Sequence, residues 1–361
     1  MMTMRTLALI FILGMAGCGA PPETATGAGP DPDQVYRWKL ITTWPKNLPG
    51  LGMAPERLAE NLRVMSRGRL DIRVYGAGEL VGAFEVFDAV GQGTAEMGHG
   101  AAYYWRGKLP VAAMFATVPF GMTAQEMNGW LRYGGGMALW REAYDAFGIV
   151  PLAAGNSGVQ MAGWFNKEIN SLADLQGLKM RIPGLGGEVL ERAGGVPVSM
   201  PGSEIYTAMQ TGVIDATEWV GPYNDLAMGL QDVARYYYYP GWHEPGPTLE
   251  AIVNKSAWES LPADLQKMVE VAAAAANEDL LSEFTARNAS SLKTLLSDHN
   301  VELRRLPDDV LDKLKAESAL VVAEKTGDSD LARRIRESYG TFLRDVRDYH
   351  AISEQAYINV R

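Results

Sequence analysis

The strongest structural signal in the chain lies between residues 171 and 215, which read SLADLQGLKMRIPGLGGEVLERAGGVPVSMPGSEIYTAMQTGVID. Its first residues predict a capped turn, and residues 179–182 alternate polar and apolar side chains as a short strand does. Helical spacing follows over residues 187–193 and again over 203–211, and glycine ends each run. A strand followed by helices of this length predicts an α/β lobe in which helices pack on a sheet.

The same alternation of strands and helices extends toward the N-terminus. Residues 36–44 have the period-two pattern of a strand, and residues 55–65 have the spacing of a helix. Because 361 residues exceed what one hydrophobic core usually serves, two lobes are expected. We predict that residues 35–148 form the first part of lobe I and that residues 149–250 form lobe II, which clamps the ligand.

The C-terminal part of the chain predicts long helices. A helical pattern without glycine or proline runs from residue 263 to about 299, and two more cover 308–325 and 331–349. Residues 251–361 are therefore expected to hold a strand that crosses to lobe I, a long helix, and C-terminal helices that return to lobe I. These helices could also form the interface of a homodimer, and the sequence leaves both possibilities open.

The N-terminus has the features of an export signal. Residues 1–17 combine Arg5, a short apolar run and small residues at the end, and the run is too short to span a bilayer. Cys18 follows two small residues in an arrangement that resembles the bacterial lipobox, which predicts a lipidated cysteine that attaches the protein to a membrane. An ordinary cleaved signal with an incidental cysteine is the alternative. Residues 18–34 contain no long apolar run and predict a flexible tether.

The composition argues against several classes of function. A net charge of −10 without basic clusters argues against nucleic acid as a partner, and contact with a membrane is expected only through Cys18. His243-Glu244 is followed by proline, so the helical zinc-protease motif is absent. Residues 155–158 lack the spacing of a nucleophile elbow. Without these motifs, binding is favoured over catalysis.

Three segments together resemble a known family. They read SLADLQGLKMRIP at 171–183, GGVPVSM at 194–200 and EIYTAMQTGVID at 204–215. In order and residue type they are similar to the pattern DL-GLK-R-P, GG-PV and E-Y-A-Q-G-DA of the solute-binding subunits of TRAP (tripartite ATP-independent periplasmic) transporters, and residues 58–93 add a weaker similarity. The resemblance implies an α/β, two-lobed periplasmic-binding-protein (Venus-flytrap) fold with a long helix bracing both lobes. It also implies TRAP membrane subunits as partners.

One branch of that family binds 2-oxo acids and related 2-hydroxy acids, with a metal cation beside the ligand. The resemblance to this branch implies that six residues bind substrate: Tyr103, Tyr104, Asn156, Gln160, Glu218 and Trp219. Asn156 could instead be a turn residue between two glycines. If Tyr103 and Tyr104 are extended, only one of their hydroxyl groups should reach a cleft.

Arg181 is the residue we expect to hold the carboxylate of the ligand. It lies between apolar neighbours on a predicted strand, and a guanidinium can grip one carboxylate with two parallel hydrogen bonds. A surface arginine at a strand end is the alternative. If Arg181 faces a closing cleft, we expect it to be buried without a counter-charge from the protein, so that the anion completes the site.

Two glutamates predict a cation. Glu218 and Glu244 both lie next to aromatic residues, and two carboxylates in one dry pocket repel each other unless one is protonated or a cation bridges them. Gln160 and the Trp219 carbonyl offer further oxygen ligands, which favour a hard ion such as Na⁺ or Ca²⁺. Either glutamate could instead be a solvated loop residue.

The function predicted from these observations is capture of a small 2-oxo or 2-hydroxy monocarboxylate, similar to pyruvate or lactate, for uptake through a TRAP transporter. A periplasmic enzyme acting on a small organic acid and a sensory or scaffold lipoprotein of the same fold are the alternatives. The expected location is extracytoplasmic, with a lipid anchor.

Overall fold

Two β-sheets form the framework of the chain in a computed structural model that describes residues 34–361. The expected signal peptide and nearly all of the expected tether therefore lie outside the described residues. Within 34–361, no helix combines the length and the apolar character needed to cross a membrane. In chain order the strands are β1 (Tyr36–Thr42), β2 (Leu70–Tyr75), β3 (Met97–Gly100), β4 (Ile149–Asn156), β5 (Gly163–Phe165), β6 (Lys179–Arg181), β7 (Val196–Val198), β8 (Ala216–Thr217), β9 (Tyr236–Tyr239), β10 (Thr248–Asn254) and β11 (Glu302–Arg305).

Helices cover both sheets. Short 3₁₀ helices lie at Ala83–Glu85, Ala102–Trp105, Pro110–Ala112, Leu172–Leu175 and Leu230–Asp232. The α-helices are α1 (Ala54–Met65), α2 (Val86–Gly91), α3 (Ala113–Ala116), α4 (Ala124–Tyr133), α5 (Gly136–Asp145), α6 (Gly184–Arg192), α7 (Gly202–Gln210), α8 (Pro222–Ala227), α9 (Lys255–Ser260), α10 (Ala263–Asp298), α11 (Asp308–Lys325), α12 (Asp330–Ile352) and α13 (Glu354–Ile358).

Each sheet defines one lobe. The first sheet has the order β2-β1-β3-β10-β4, with β1 parallel to β2 and β3 and with β10 antiparallel to both of its neighbours. The second sheet has the order β11-β9-β5-β8-β6-β7. We call the first sheet and its helices the first lobe, and the second sheet and its helices the second lobe. The α/β, two-lobed fold predicted from the sequence is confirmed.

The core of the first lobe shows why these residues form these elements. Helix α1 begins next to Pro55, and Leu58 and Leu62 are four residues apart on its inner face, both fully buried. They pack with Leu40 of β1 and Met97 of β3, whose side chains are also fully buried. Burying a leucine side chain contributes about 2 kcal/mol relative to leaving it in water.

Helix α10 connects the two lobes. It packs on β4 and α1 of the first lobe and on α8 of the second lobe. Leu280 and Phe284, four residues apart and so on one face of the helix, are fully buried. The bracing helix implied by the family resemblance is thus found at residues 263–298.

Two assignments of segments to lobes were wrong. Strand β4 pairs with β10 in the first sheet, whereas the sequence analysis placed residues 149–156 at the start of lobe II. At the C-terminus, β11 pairs with β9 and α11 packs on α6, so both belong to the second lobe, and α12 packs on α4 and α5 of the first. Local periodicity identifies a strand or helix but does not indicate which distant segment it pairs or packs with. These assignments failed for that reason.

Candidate functional site

Segments from both lobes meet between the two sheets. Arg181 ends β6, Glu218 follows β8, and Glu244 lies in the loop between β9 and β10. Gln160 lies between β4 and β5, and the first lobe contributes the 3₁₀ helix at Ala102–Trp105. Strand ends and loops of two lobes that face each other form the kind of crevice in which small ligands bind.

A cavity of about 450 Å³ lies between the lobes next to these residues. The first lobe lines it with Phe84, Tyr103 and Tyr104, and the second with residues at the start of α6. At its rim, Arg106 Nη1 of the first lobe lies 2.6 Å from Glu188 Oε1 of the second. The two lobes are therefore in direct contact at the edge of the crevice.

Arg181 is buried beside this cavity, next to Ile182 and Tyr104 that line it, with 1% of its surface exposed. Its guanidinium forms an ion pair with Glu218 and donates hydrogen bonds to the Met200 carbonyl at 3.3 Å and to the Tyr104 hydroxyl at 3.4 Å. Its carbon Cζ lies 5.3 Å from the centre of the Trp219 ring. We expected Arg181 to have no counter-charge from the protein, and that expectation was wrong because Glu218 supplies one.

Glu218, His243 and Glu244 form a buried acidic group beside Arg181. One ligand atom from each of the three lies within 4.8 Å of the others, and His243 Nε2 is 3.6 Å from Glu218 Oε2. Burial, and then the charge of Glu218, raise the pKa of Glu244 well above its usual value. Arg181 and the side chains of Tyr103 and Gln160 act in the opposite direction. A proton on Glu244, or a cation beside it, would relieve the repulsion between the two carboxylates.

Buried polar atoms without a hydrogen-bond partner are concentrated in the same space. They are Gln160 Oε1, Trp219 Nε1, Glu244 Oε2 and both ring nitrogens of His243. Leaving a buried polar group without a partner costs about 1–3 kcal/mol, and proteins rarely accept this cost several times in one place. These atoms therefore indicate a space that a ligand completes.

Tyr103 and Tyr104 both face this space. Tyr104 contacts Arg181 through its hydroxyl, and Tyr103 is close enough to Glu244 to influence its pKa. The two residues lie in the 3₁₀ helix, where successive side chains do not alternate between opposite faces as they do in a strand. The expectation that only one hydroxyl reaches the cleft required an extended backbone, and the backbone here is helical, so that expectation does not apply.

Aromatic rings from both lobes enclose the space. The Trp44 ring of the first lobe lies 6.2 Å from the Trp219 ring of the second, nearly perpendicular to it. His99 fixes Trp44, because Trp44 Nε1 donates a 2.9 Å hydrogen bond to His99 Nδ1. Phe120 stacks on Trp242 at 5.9 Å. Rings from the two lobes thus pack against each other and form one apolar wall.

Asn156 is fully buried and is engaged with the main chain. Its Oδ1 accepts from the Gly158 amide at 2.9 Å, and its Nδ2 donates to the Gly246 carbonyl at 3.0 Å. The first of these bonds is the turn role that the sequence left open for Asn156. The second amide hydrogen and the second lone pair of Oδ1 remain for a ligand.

Two glycines allow the site segments to approach one another. A Cβ on Gly241 would lie 2.0 Å from the Gln160 carbonyl oxygen, and one on Gly202 would lie 2.3 Å from the Trp219 ring. Any larger residue would push Gln160 or Trp219 out of place. These glycines are therefore part of how the loops are brought together.

The sequence profile of the bacterial extracellular solute-binding proteins, family 7, matches residues 41–327 of the chain. The chain belongs to this family. Its members are the solute-binding components of TRAP transporters and not enzymes, so the predicted family and the predicted class of function are confirmed. The family is extracytoplasmic.

Three proteins similar to this chain either have a name that states a ligand or were solved with a ligand bound. The chain is 41% identical to a monocarboxylate 2-oxoacid-binding periplasmic protein of Nostoc sp., over 90% of this chain and 88% of that protein. A TRAP periplasmic solute-binding protein from Pseudoalteromonas atlantica, solved with sodium and pyruvate, is 45% identical with a TM-score of 0.87 and covers 90% of this chain and 99% of its own. One from Colwellia psychrerythraea, solved with calcium and pyruvate, is 43% identical with a TM-score of 0.88 and covers 91% of this chain and 100% of its own.

The oxygen atoms at this site are suitable ligands for a hard cation. Gln160 Oε1 and Glu244 Oε2 are free oxygen acceptors, and Glu218 adds a carboxylate at the same place. Amide and carboxylate oxygens are the ligands that Na⁺ and Ca²⁺ prefer. The structure brings Arg181, Glu218, Glu244, Gln160, both tyrosines and Trp219 close together, and their roles in binding stay predictions.

His243 was missed as a site residue. The sequence analysis tested it only against a zinc-protease motif, yet it is 2% exposed and lies within the acidic group. Its position directly between Trp242 and Glu244 was the available signal, because Glu244 was already a candidate and a neighbour in a tight loop shares its surroundings.

Proposed function

We propose that this chain captures a small 2-oxo or 2-hydroxy monocarboxylate, similar to pyruvate or lactate, together with Na⁺ or Ca²⁺, and delivers it to the membrane subunits of a TRAP transporter. The observation that carries the proposal is a buried guanidinium beside a concentration of unpartnered polar atoms between two lobes. The ligands of the relatives from Pseudoalteromonas atlantica and Colwellia psychrerythraea support the same assignment.

The carboxylate of the cargo is held by Arg181 in this proposal. Each nitrogen of the Arg181 guanidinium already has a protein partner: Nε donates to Met200, Nη1 to Glu218 and Nη2 to Tyr104. A bound cation supplies positive charge to Glu218, so that Arg181 can share its donors with the cargo. Asn156, Tyr103 and the Tyr104 hydroxyl add hydrogen bonds to the cargo.

The cation is held by oxygens from three loops. The proposed ligands are Gln160, Glu218, Glu244 and the main-chain carbonyl of Trp219. This set explains why two carboxyl groups are buried together, since a cation between them removes the repulsion that raises the pKa of Glu244. The 2-oxygen and carboxylate of the cargo complete the coordination.

The size of the cargo limits its affinity. The best small ligands gain about 1.5 kcal/mol per heavy atom, so the binding free energy of a six-atom acid such as pyruvate is limited to about −9 kcal/mol. That free energy corresponds to a dissociation constant of about 0.3 μM. Such an affinity suits a protein that collects a scarce nutrient.

The remaining features of the proposal concern attachment and assembly. Residues 1–17 are removed as a signal peptide, Cys18 is lipidated, and residues 18–34 tether the lobes to the membrane. A homodimer forms through the C-terminal helices, which expose apolar residues at Tyr349, Ile352, Tyr357, Ile358 and Val360. Mass spectrometry of the membrane-extracted protein tests the lipid, and light scattering tests the dimer.

A thermal-shift screen tests the cargo. Mono- and dicarboxylates of two to six carbons are added with Na⁺, with Ca²⁺ or with neither, since a ligand that binds the native state raises the unfolding temperature. We expect 2-oxo and 2-hydroxy monocarboxylates to give the largest shifts, and only with a cation present. A larger shift with dicarboxylates, or equal shifts without any cation, would overturn the proposed cargo.

A further inference from the structure

Asp225 makes four hydrogen bonds while 1% of its surface is exposed. Oδ1 accepts from the main-chain amides of Val220 at 3.2 Å and Gly221 at 3.0 Å. Oδ2 accepts from Trp164 Nε1 at 2.9 Å and from the Tyr237 hydroxyl at 2.7 Å. The carboxyl group thus ties the loop after β8 to strands β5 and β9.

The loop that Asp225 holds carries two of the proposed cation ligands, Glu218 and Trp219. It is also bonded to the segment that carries Gln160, because the Met161 amide donates to the Val220 carbonyl at 3.1 Å.

The third ligand segment is attached to the second. The Gln160 amide donates to the Glu244 carbonyl at 3.1 Å. All three ligand segments therefore form one continuous set of main-chain contacts, and Asp225 anchors one end of it to the sheet.

We propose that Asp225 is a positioning residue that sets the separation of the cation ligands without touching the cation or the cargo. This inference rests on the proposed function of the site. Calcium–oxygen distances fall within about 2.3–2.6 Å, so a loop shift of a few tenths of an ångström is enough to weaken binding.

The chemistry of the side chain supports this role. A carboxylate offers about four acceptor positions, and here all four meet donors from two strands and two loop amides. Asparagine has one acceptor oxygen and can serve the two amides, but its nitrogen cannot accept from Trp164. A hydrocarbon side chain can serve none of them.

Three variants separate positioning from general stability. Asp225→Ala removes every bond, Asp225→Asn keeps an acceptor for the loop amides, and Tyr237→Phe removes only one bond on the strand side. Calcium is titrated by calorimetry in the presence of saturating pyruvate, well below each variant's unfolding temperature. We expect Asp225→Ala to weaken calcium binding by about 10- to 100-fold, the usual range for residues that orient metal ligands. Asp225→Asn should recover most of this loss, and Tyr237→Phe should change affinity less than about twofold.

Two results would overturn the inference. One is calcium affinity in Asp225→Ala within about twofold of the parent protein. The other is an affinity loss in Tyr237→Phe equal to that in Asp225→Ala, since loss would then follow stability and not the loop. If the parent protein binds pyruvate without any cation dependence, the proposed cation site fails and this inference fails with it, which is distinguishable from an insensitive variant.

Amide hydrogen exchange decides the matter if Asp225→Ala does not fold. In the parent protein the Val220 and Gly221 amides should exchange slowly before cargo is added, because Asp225 already holds them. Rapid exchange that slows only after pyruvate and calcium are added would contradict a preset loop.

Discussion

Two buried acidic groups in the second lobe differ in one respect. Asp225 receives two donors on each oxygen, whereas Glu244 is equally buried and its Oε2 has no partner. Burial raises the pKa of Asp225 to about 6 while its four donors act in the opposite direction, and Glu244 is raised well above its usual value. A buried carboxylate whose oxygens all accept hydrogen bonds holds the backbone in place. A buried carboxylate oxygen without a hydrogen bond destabilises the protein, and its presence therefore indicates where a ligand binds.

The comparison is tested most severely at Arg181, which lies against the unpartnered group. Arg181→Met should weaken pyruvate binding by about 1000-fold, near 4 kcal/mol, because the cargo carboxylate loses its charged partner in a dry site. Calorimetry measures the loss, and circular dichroism checks that the fold remains. Arg192→Met is the matched control, since Arg192 lies in the same lobe and forms ion pairs with Glu317 and Glu324 at the surface. Unchanged affinity in Arg181→Met would remove the carboxylate clamp from the account.

Removal of the cation should have the next largest effect. Pyruvate is titrated in sodium-free potassium buffer of equal ionic strength after exhaustive chelation of divalent ions. We expect binding to weaken by about 100-fold, since Glu218 and Glu244 are then left repelling each other beside an anion. Restoring Na⁺ or Ca²⁺ should restore affinity. Equal pyruvate affinity in both buffers would mean that protonation of Glu244 alone removes the repulsion between Glu218 and Glu244.

Glu244→Gln should affect cargo binding less and should stabilise the empty protein. The substitution removes a buried carboxyl group next to Glu218, so unfolding free energy should rise by about 1 kcal/mol. Cation affinity should fall by about tenfold because one charged ligand is lost. Thermal unfolding and calcium titration measure the two effects, with Glu204→Gln on the exposed side of α7 as the control. Loss of stability would show that Glu244 has protein partners after all.

Substitution of Glu250 should have the smallest effect on cargo binding. Like Asp225, Glu250 is a buried carboxyl group whose oxygens accept hydrogen bonds. It is fully buried in β10, where it accepts hydrogen bonds from Trp105 and from Tyr144. Burial raises the pKa of Glu250 to about 7. The folded state therefore holds a proton that the unfolded state releases near pH 4.5, and stability falls as pH rises from 4.5 through 7.

Glu250→Gln removes this proton exchange. Its unfolding free energy relative to the parent protein should rise between pH 5 and pH 8, by at most about 3 kcal/mol. Urea unfolding at the two pH values measures the difference. Parallel pH profiles for the two proteins would show that Glu250 does not ionise in this range.

The sequence predicted the elements of the fold well where periodicity is local. Helix α11 occupies residues 308–325 as expected, and α10 ends within one residue of the prediction. Pairing between distant strands was harder, since β4 and β10 are separated by nearly the whole second lobe. Nothing in the residues 149–156 themselves states that their partner lies beyond residue 247.

The site shows the same division. Arg181 and Glu218 were found because family motifs and residue chemistry both pointed to them. The ion pair between them and the position of His243 beside Glu218 were not found, because each depends on which loops the fold places side by side. Asp225 carries no motif, and only its four donors reveal it.

Helix α10 has a consequence for how fast cargo is exchanged. It has 36 residues, about 54 Å at 1.5 Å per residue, and no glycine or proline at which to bend. A straight helix that packs on both lobes has no hinge of its own. The lobes can therefore open only if its side chains slide against β4 or α8. The dwell time of a nutrient would then depend on packing that the nutrient never touches.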